Sequence, residues 1–109
     1  MVFSESLASR ARDALSGVRG VTEKKMFGGV GFLLNGNLLV GVWKHWLIVR
    51  LAPEEGEGAL AEPHVKEFDI TGRPMKGWVM VEPERIDDDD QLKWWVERAM
   101  RFVRTLPRK

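Results

Sequence analysis

No cysteine occurs among the 109 residues, which excludes disulfides, thiolate metal sites and a cysteine nucleophile and suits a reducing compartment. Histidine is nearly absent as well. His45 and His64 are the two present; they stand in unrelated connectors without metal-ligand spacing to each other or to a carboxylate pair, so both are expected at the surface. No apolar run approaches the roughly 18 residues needed to span a bilayer. The opening Met1-Val-Phe-Ser-Glu-Ser6 lacks a basic region ahead of an apolar core. A cytoplasmic protein with no membrane partner is expected. An excess of one charge is also missing, since 17 Lys and Arg face 16 Asp and Glu, and bulk electrostatics gives no reason to expect nucleic acid. The charges are nevertheless segregated: residues 54–90 carry 12 acidic and 4 basic side chains, and the rest of the chain carries 4 and 13. The simplest expectation is that the acidic middle and basic ends neutralise one another within one domain spanning 1–109.

Motifs for chemistry are equally scarce. Gly29 and Gly31 would need a third glycine at Leu34 and a following helix to read as a dinucleotide fingerprint. Gly31-x4-Gly36 is followed by Asn37, and Gly72-x4-Gly77 by Trp78, so neither is a P-loop. Asp87 to Asp90 lacks the interleaved ligands and distal glutamate of a calcium loop, and helix capping explains it. Ser4, Ser6, Ser9 and Ser16 have no nucleophile context. No catalytic, cofactor-binding or metal-ligating residue is assigned, no cofactor is expected, and the chain is expected not to be an enzyme.

What is present is a hairpin. Asn35-Gly36 lies between two apolar runs, the strongest short-range signal for a type I′ turn. A two-residue loop would set Leu34 opposite Asn37, Leu33 opposite Leu38, Phe32 opposite Leu39 and Gly31 opposite Val40, each glycine facing a large residue. Trp46–Leu51 extends this to a meander if Lys44-His45 is a second two-residue link. One face would then hold Gly29, Gly31, Leu33, Leu38, Val40, Val42, Leu47, Val49 and Leu51 as core. The other would hold Val30, Phe32, Leu39, Trp43, Trp46, Ile48 and Arg50, which is apolar enough to need a cover from the chain's own helices or a partner.

Elsewhere, Ser4 or Ser6 caps a first helix whose apolar side is Leu7, Ala8, Ala11, Ala14, Leu15 and Val18. Val21–Phe27 leads into the first hairpin strand. A short helix from Pro53 ends before Pro63, an edge strand falls within residues 64–69, and Trp78–Val81 forms a further strand. The last helix follows Asp87–Asp90, with Leu92, Trp95, Val96, Ala99, Phe102, Val103 and Leu106 as its apolar stripe. Trp94 stands on its basic side with Arg98, Arg101 and Arg104, where it could stack on a base or on a partner.

Met26-Phe-Gly-Gly-Val-Gly-Phe32, together with Thr71-Gly-Arg-Pro-Met-Lys-Gly-Trp78, resembles the N-terminal domain of the TfoX/Sxy family of bacterial competence regulators over nearly the whole chain. The resemblance implies an α+β fold similar to type III secretion chaperones, with an antiparallel sheet of about five strands and N- and C-terminal helices packed against it. It supplies no catalytic residues. Arg73 and Lys76 are the positions of its signature most suited to external contact. The expected function is a non-enzymatic regulatory or adaptor domain acting by protein contact, a second copy of the chain included. Its expected surface is Phe32, Leu39, Trp43, Ile48 and Arg50, the motif turn at Arg73 and Lys76, and Trp94, Arg98 and Arg101. A weak nucleic-acid accessory protein or a small-ligand binder in a sheet–helix crevice are the alternatives.

Overall fold

The computed structural model describes residues 4–26, 28–69 and 75–109. Among these, six strands form one sheet in the order β1-β2-β3-β4-β6-β5, with every neighbouring pair antiparallel. They are β1 (Val21–Met26), β2 (Gly29–Leu34), β3 (Asn37–Trp43), β4 (Trp46–Arg50), β5 (Val65–Glu67) and β6 (Trp78–Val81). Helices α1 (Glu5–Ala14) and α3 (Asp89–Val103) lie on one face, and α2 (Pro53–Ala59) packs beside β6. This is the expected α+β architecture with one more strand. The extra strand is β1, expected as a lead-in to β2, which instead turns back at Gly28 (φ +76°) and pairs with β2 along its whole length.

The helices start where the sequence places caps. The Leu7 amide donates to Ser4 Oγ at 3.1 Å, and the Asp90 amide donates to Asp88 Oδ1 at 2.9 Å. Asp89 and Asp90 then sit at the positive dipole end of α3. Arg10 joins the two helices by donating to Asp89 Oδ1 (2.8 Å), Ile86 O (2.7 Å) and Asp87 O (3.2 Å). Gly56 of α2 rests on the backbone of Gly77, where a Cβ would sit 2.5 Å from the Gly77 Cα. Only glycine allows that approach.

The Asn35-Gly36 turn forms, with both residues at positive φ, and Leu34 faces Asn37 and Leu33 faces Leu38. Beyond this point the expected ladder is corrected. A β-bulge admits Leu39 as an extra residue on β3, so Phe32 faces Val40, Gly31 faces Gly41 and Val30 faces Val42. Phe32 and Leu39, expected on the sheet's second face, are therefore core residues, 1% and 0% exposed. Leu33 and Leu38 take the second face and are half-buried. Glycines do not all face large residues. The space over Gly31 is filled instead by Leu38 Cδ1 and Met26 Sδ, 2.8 and 2.9 Å from where its Cβ would lie.

The Lys44-His45 link is the expected two-residue turn, with Trp43 opposite Trp46 and Lys44 at φ +55°. Val40, Val42, Leu47, Val49 and Leu51 accordingly share the core with Trp95, Val96 and Ala99 of α3 and Ala8 and Ala11 of α1.

Replacing Phe32 with Ala is expected to cost roughly 3–5 kcal/mol in urea unfolding, and Phe32→Asp to abolish the native far-UV circular dichroism. A second expectation concerns acid. Arg12 donates twice to the Glu23 carboxylate, both at 2.8 Å, tying α1 to β1, and this hydrogen-bonded charge holds the Glu23 carboxyl below its ordinary range. Its contribution is complete above the ordinary carboxylate value and disappears as pH falls through the lower folded value. The urea midpoint of the native protein should therefore drop more than that of Glu23→Gln on acidification below about pH 4.3.

Candidate interaction surface

Alternation along the strands places Leu33, Leu38, Trp43, Trp46, Ile48, Arg50, Trp78 and Met80 on the sheet face away from α1 and α3. Ile48 is fully buried there because Phe68 and Met80 close over it, flanked by half-buried Trp43, Trp46 and Trp78. Ile48 therefore supports the face without presenting itself. Each of these three tryptophans carries a cation over its ring. Lys44 Nζ is 4.6 Å from the Trp43 centroid, Lys66 Nζ 5.1 Å from Trp46, and the Arg50 guanidinium 5.1 Å from Trp78 and 5.8 Å from Phe102. Burial pushes the Arg50 guanidinium below its ordinary pKa. Among the described residues Arg50 forms no ion pair, and neither do Lys44 or Lys66.

Sequence reasoning named Trp43, Trp46 and Arg50 for this face and missed Trp78, Lys66, Leu33 and Leu38. For Trp78 and Lys66 the missing information was pairing: β6 inserts between β4 and β5, a long-range choice with no local signal. Beside the face, Trp46, Lys66, Asp69 and Met80 border an open hollow of about 600 Å³.

The basic side of α3 is used differently from the expectation. Arg98 is buried and donates to Glu55 Oε2 (2.9 Å) and Glu62 Oε2 (3.2 Å). Its guanidinium also lies 4.6 Å from the Trp94 ring centre and 4.5 Å from that of Trp95. Arg85 donates to Glu62 Oε1 and the Pro63 carbonyl from the same cluster. Arg98 is thus a tie between α3 and the acidic stretch around α2, which corrects its assignment as a contact residue. Trp94 remains 43% exposed and Arg101 is exposed, but one face of Trp94 is occupied by Arg98.

Of the motif turn, Arg73 lies outside the described residues. Lys76 is exposed at a hollow of about 330 Å³ with Glu57, Glu67 and Trp78. The two histidines are exposed, as expected. His64 is not isolated from carboxylates, however: strand pairing brings it to Glu82 and Glu84, with the ligand atoms of all three within 4.8 Å of one another, a set that could hold a metal ion. The signal was invisible in the sequence because the residues are far apart along the chain. No helix among the described residues is long and apolar enough to cross a membrane.

An antiparallel sheet with helices on one face and tryptophans on the other defines an α+β domain of open-sheet type. The chain belongs to the TfoX N-terminal domain family, whose model matches residues 13–103. This is a family of competence-regulation-related domains and not a known enzyme family. Neither the curated proteins nor the solved structures searched contain a match.

Two substitutions on α3 separate tie from surface. Arg98→Ala should cost roughly 2–4 kcal/mol in urea denaturation, because it strands two carboxylates and uncovers two indoles. Arg101→Ala should change stability by no more than about 0.5 kcal/mol.

Proposed function

We propose that the domain is a non-enzymatic adaptor that acts by protein contact through the tryptophan-bearing sheet face. The observation that carries this reading is that Trp43, Trp46, Trp78, Leu33 and Leu38, all half-buried, share the face that α1 and α3 leave uncovered. Aromatic side chains with arginine at their margin are the composition of interface anchors. A regulatory domain needs no reacting group, only a surface that discriminates among partners, and the family is consistent with regulation of competence.

The test uses the immobilised domain and a lysate of its own source, with and without nuclease, in parallel with Leu38→Glu. Leu38 lies on the uncovered face, so the substitution should leave far-UV circular dichroism native and lower stability by no more than about 2 kcal/mol. A discrete protein retained by the native domain in both conditions, and lost with Leu38→Glu, is the expected result. Retention abolished by nuclease would overturn the reading in favour of nucleic acid. Equal retention by native and variant domains would move the contact to another surface, such as Trp94 or the Lys76 turn.

A further inference from the structure

Basic side chains predominate on the uncovered face, with carboxylates at its β5 margin. Strand pairing assigns Lys24 of β1 to it, opposite Gly31, and Lys66 of β5, opposite Met80, while Arg50 of β4 faces Trp78. Lys44 joins them from the β3–β4 turn, over Trp43. No strand position on this face carries a carboxylate. Glu23 pairs with Phe32, which points into the helix-covered core, so it lies on the opposite side; Glu67 pairs with Val79 but, on the edge strand, lines the hollows beside Trp46 and Trp78. The carboxylates that meet arginines do so away from this face: Glu23 with Arg12, Asp89 with Arg10, and Glu55 and Glu62 with Arg98 and Arg85. Asp69, exposed at the hollow beside Trp46 and Lys66, forms no ion pair among the described residues.

We infer that the partner segment received by this face is acidic and aliphatic, its carboxylates meeting Arg50, Lys66 and Lys44 and its apolar side chains lying on Leu33, Leu38 and the tryptophan edges. This rests on the protein-contact reading above and adds the partner's chemistry. Arg50 is the anchor of the arrangement. A guanidinium partly removed from water, with five N–H donors and no carboxylate partner among the described residues, gains most from an arriving carboxylate. Its guanidinium stands at the margin of the face, 5.1 Å from the Trp78 ring and 5.8 Å from that of Phe102 in α3. The same cations argue against nucleobases. Stacking needs a free ring face, and Lys44, Lys66 and Arg50 each already stand over one face of their tryptophan. A carboxylate needs only the outward N–H groups of those cations.

The test titrates tryptophan fluorescence of the full chain with three acetylated decapeptides in which leucine alternates with glutamate, serine or lysine, and with a decathymidine oligonucleotide. The glutamate peptide should bind, and more weakly as salt rises. Arg50→Gln and Lys66→Gln should each weaken it on the order of three- to ten-fold, with far-UV circular dichroism and melting temperature recorded for each variant. Because Arg50→Gln could perturb the fold, the exposed pair Lys44→Glu and Lys66→Glu provides a second route: together they should shift preference from the glutamate to the lysine peptide. Equal binding of glutamate, serine and lysine peptides would overturn the acidic assignment while leaving protein contact intact. Binding of the oligonucleotide alone would overturn both. No response to the glutamate peptide up to about 1 mM would also overturn the assignment, even if the lysate experiment had retained a protein by the same face.

Discussion

The structure depends on one irregularity in a hairpin. Leu39 is inserted into β3 as a bulge opposite β2, so Asn37, Leu38 and every side chain of β2 take the side opposite to the one an unbroken ladder would give them. Without it Phe32 would stand on the open face and Leu33 in the core. With it, Val30, Phe32, Leu34 and Leu39 all enter the cluster that receives α1 and α3. The side chains explain the preference. The regular register would present Gly29, Gly31 and Leu33 to the helices, and two glycines offer no apolar surface to bury. The bulge replaces them with Val30 and Phe32 and sends the glycines to the other face, where Met26 and Leu38 lean across Gly31. The leucines and glycines of the open face follow from that single inserted residue, whereas its tryptophans stand there in either register.

Much of the fold was legible from local chemistry. Ser4, Asn35-Gly36, Pro53, Pro83 and Asp88 each mark an element boundary by a mechanism confined to a few residues: capping, positive φ, or a missing amide. The β3–β4 register was legible too, although Lys44 is an unusual occupant of its turn. What could not be read was anything requiring comparison of two registers of nearly equal local quality. The bulge belongs here, because the turn fixes pairing only next to itself. The placement of β6 between β4 and β5 also belongs here, and it is what brings Trp78 and Lys66 to the face of Trp46.

The surface was legible in kind and misplaced in detail. Alternation correctly implied that a second sheet face would be apolar and aromatic, yet Phe32 and Leu39 were assigned to it by the regular ladder, and Ile48 turned out to lie beneath Phe68. The basic side of α3 shows a different limit. Helical spacing places Trp94, Arg98 and Arg101 near one another, but it cannot show that Glu55 and Glu62 are carried to Arg98 by α2 and the chain after it. A cation counted as surface from its own helix becomes interior once its partner comes from another element.

Charge segregation along the chain acquires its meaning only in three dimensions. The acidic stretch over residues 54–90 was expected to neutralise the basic ends, and the pairs Arg98 with Glu55 and Glu62 and Arg10 with Asp89 do join the two. Those pairs all lie on the helix-bearing side. Each carboxylate they engage is held on that side, and among the described residues Lys24, Lys44, Arg50 and Lys66 on the opposite face form no ion pair. Tryptophan rings compensate three of these cations in part, since attraction to a ring quadrupole replaces some lost hydration without supplying a negative charge. The segregation therefore does not end within the fold. It is converted from a pattern along the sequence into a difference between two faces, one carrying the arginine–carboxylate pairs and one holding cations over aromatic rings.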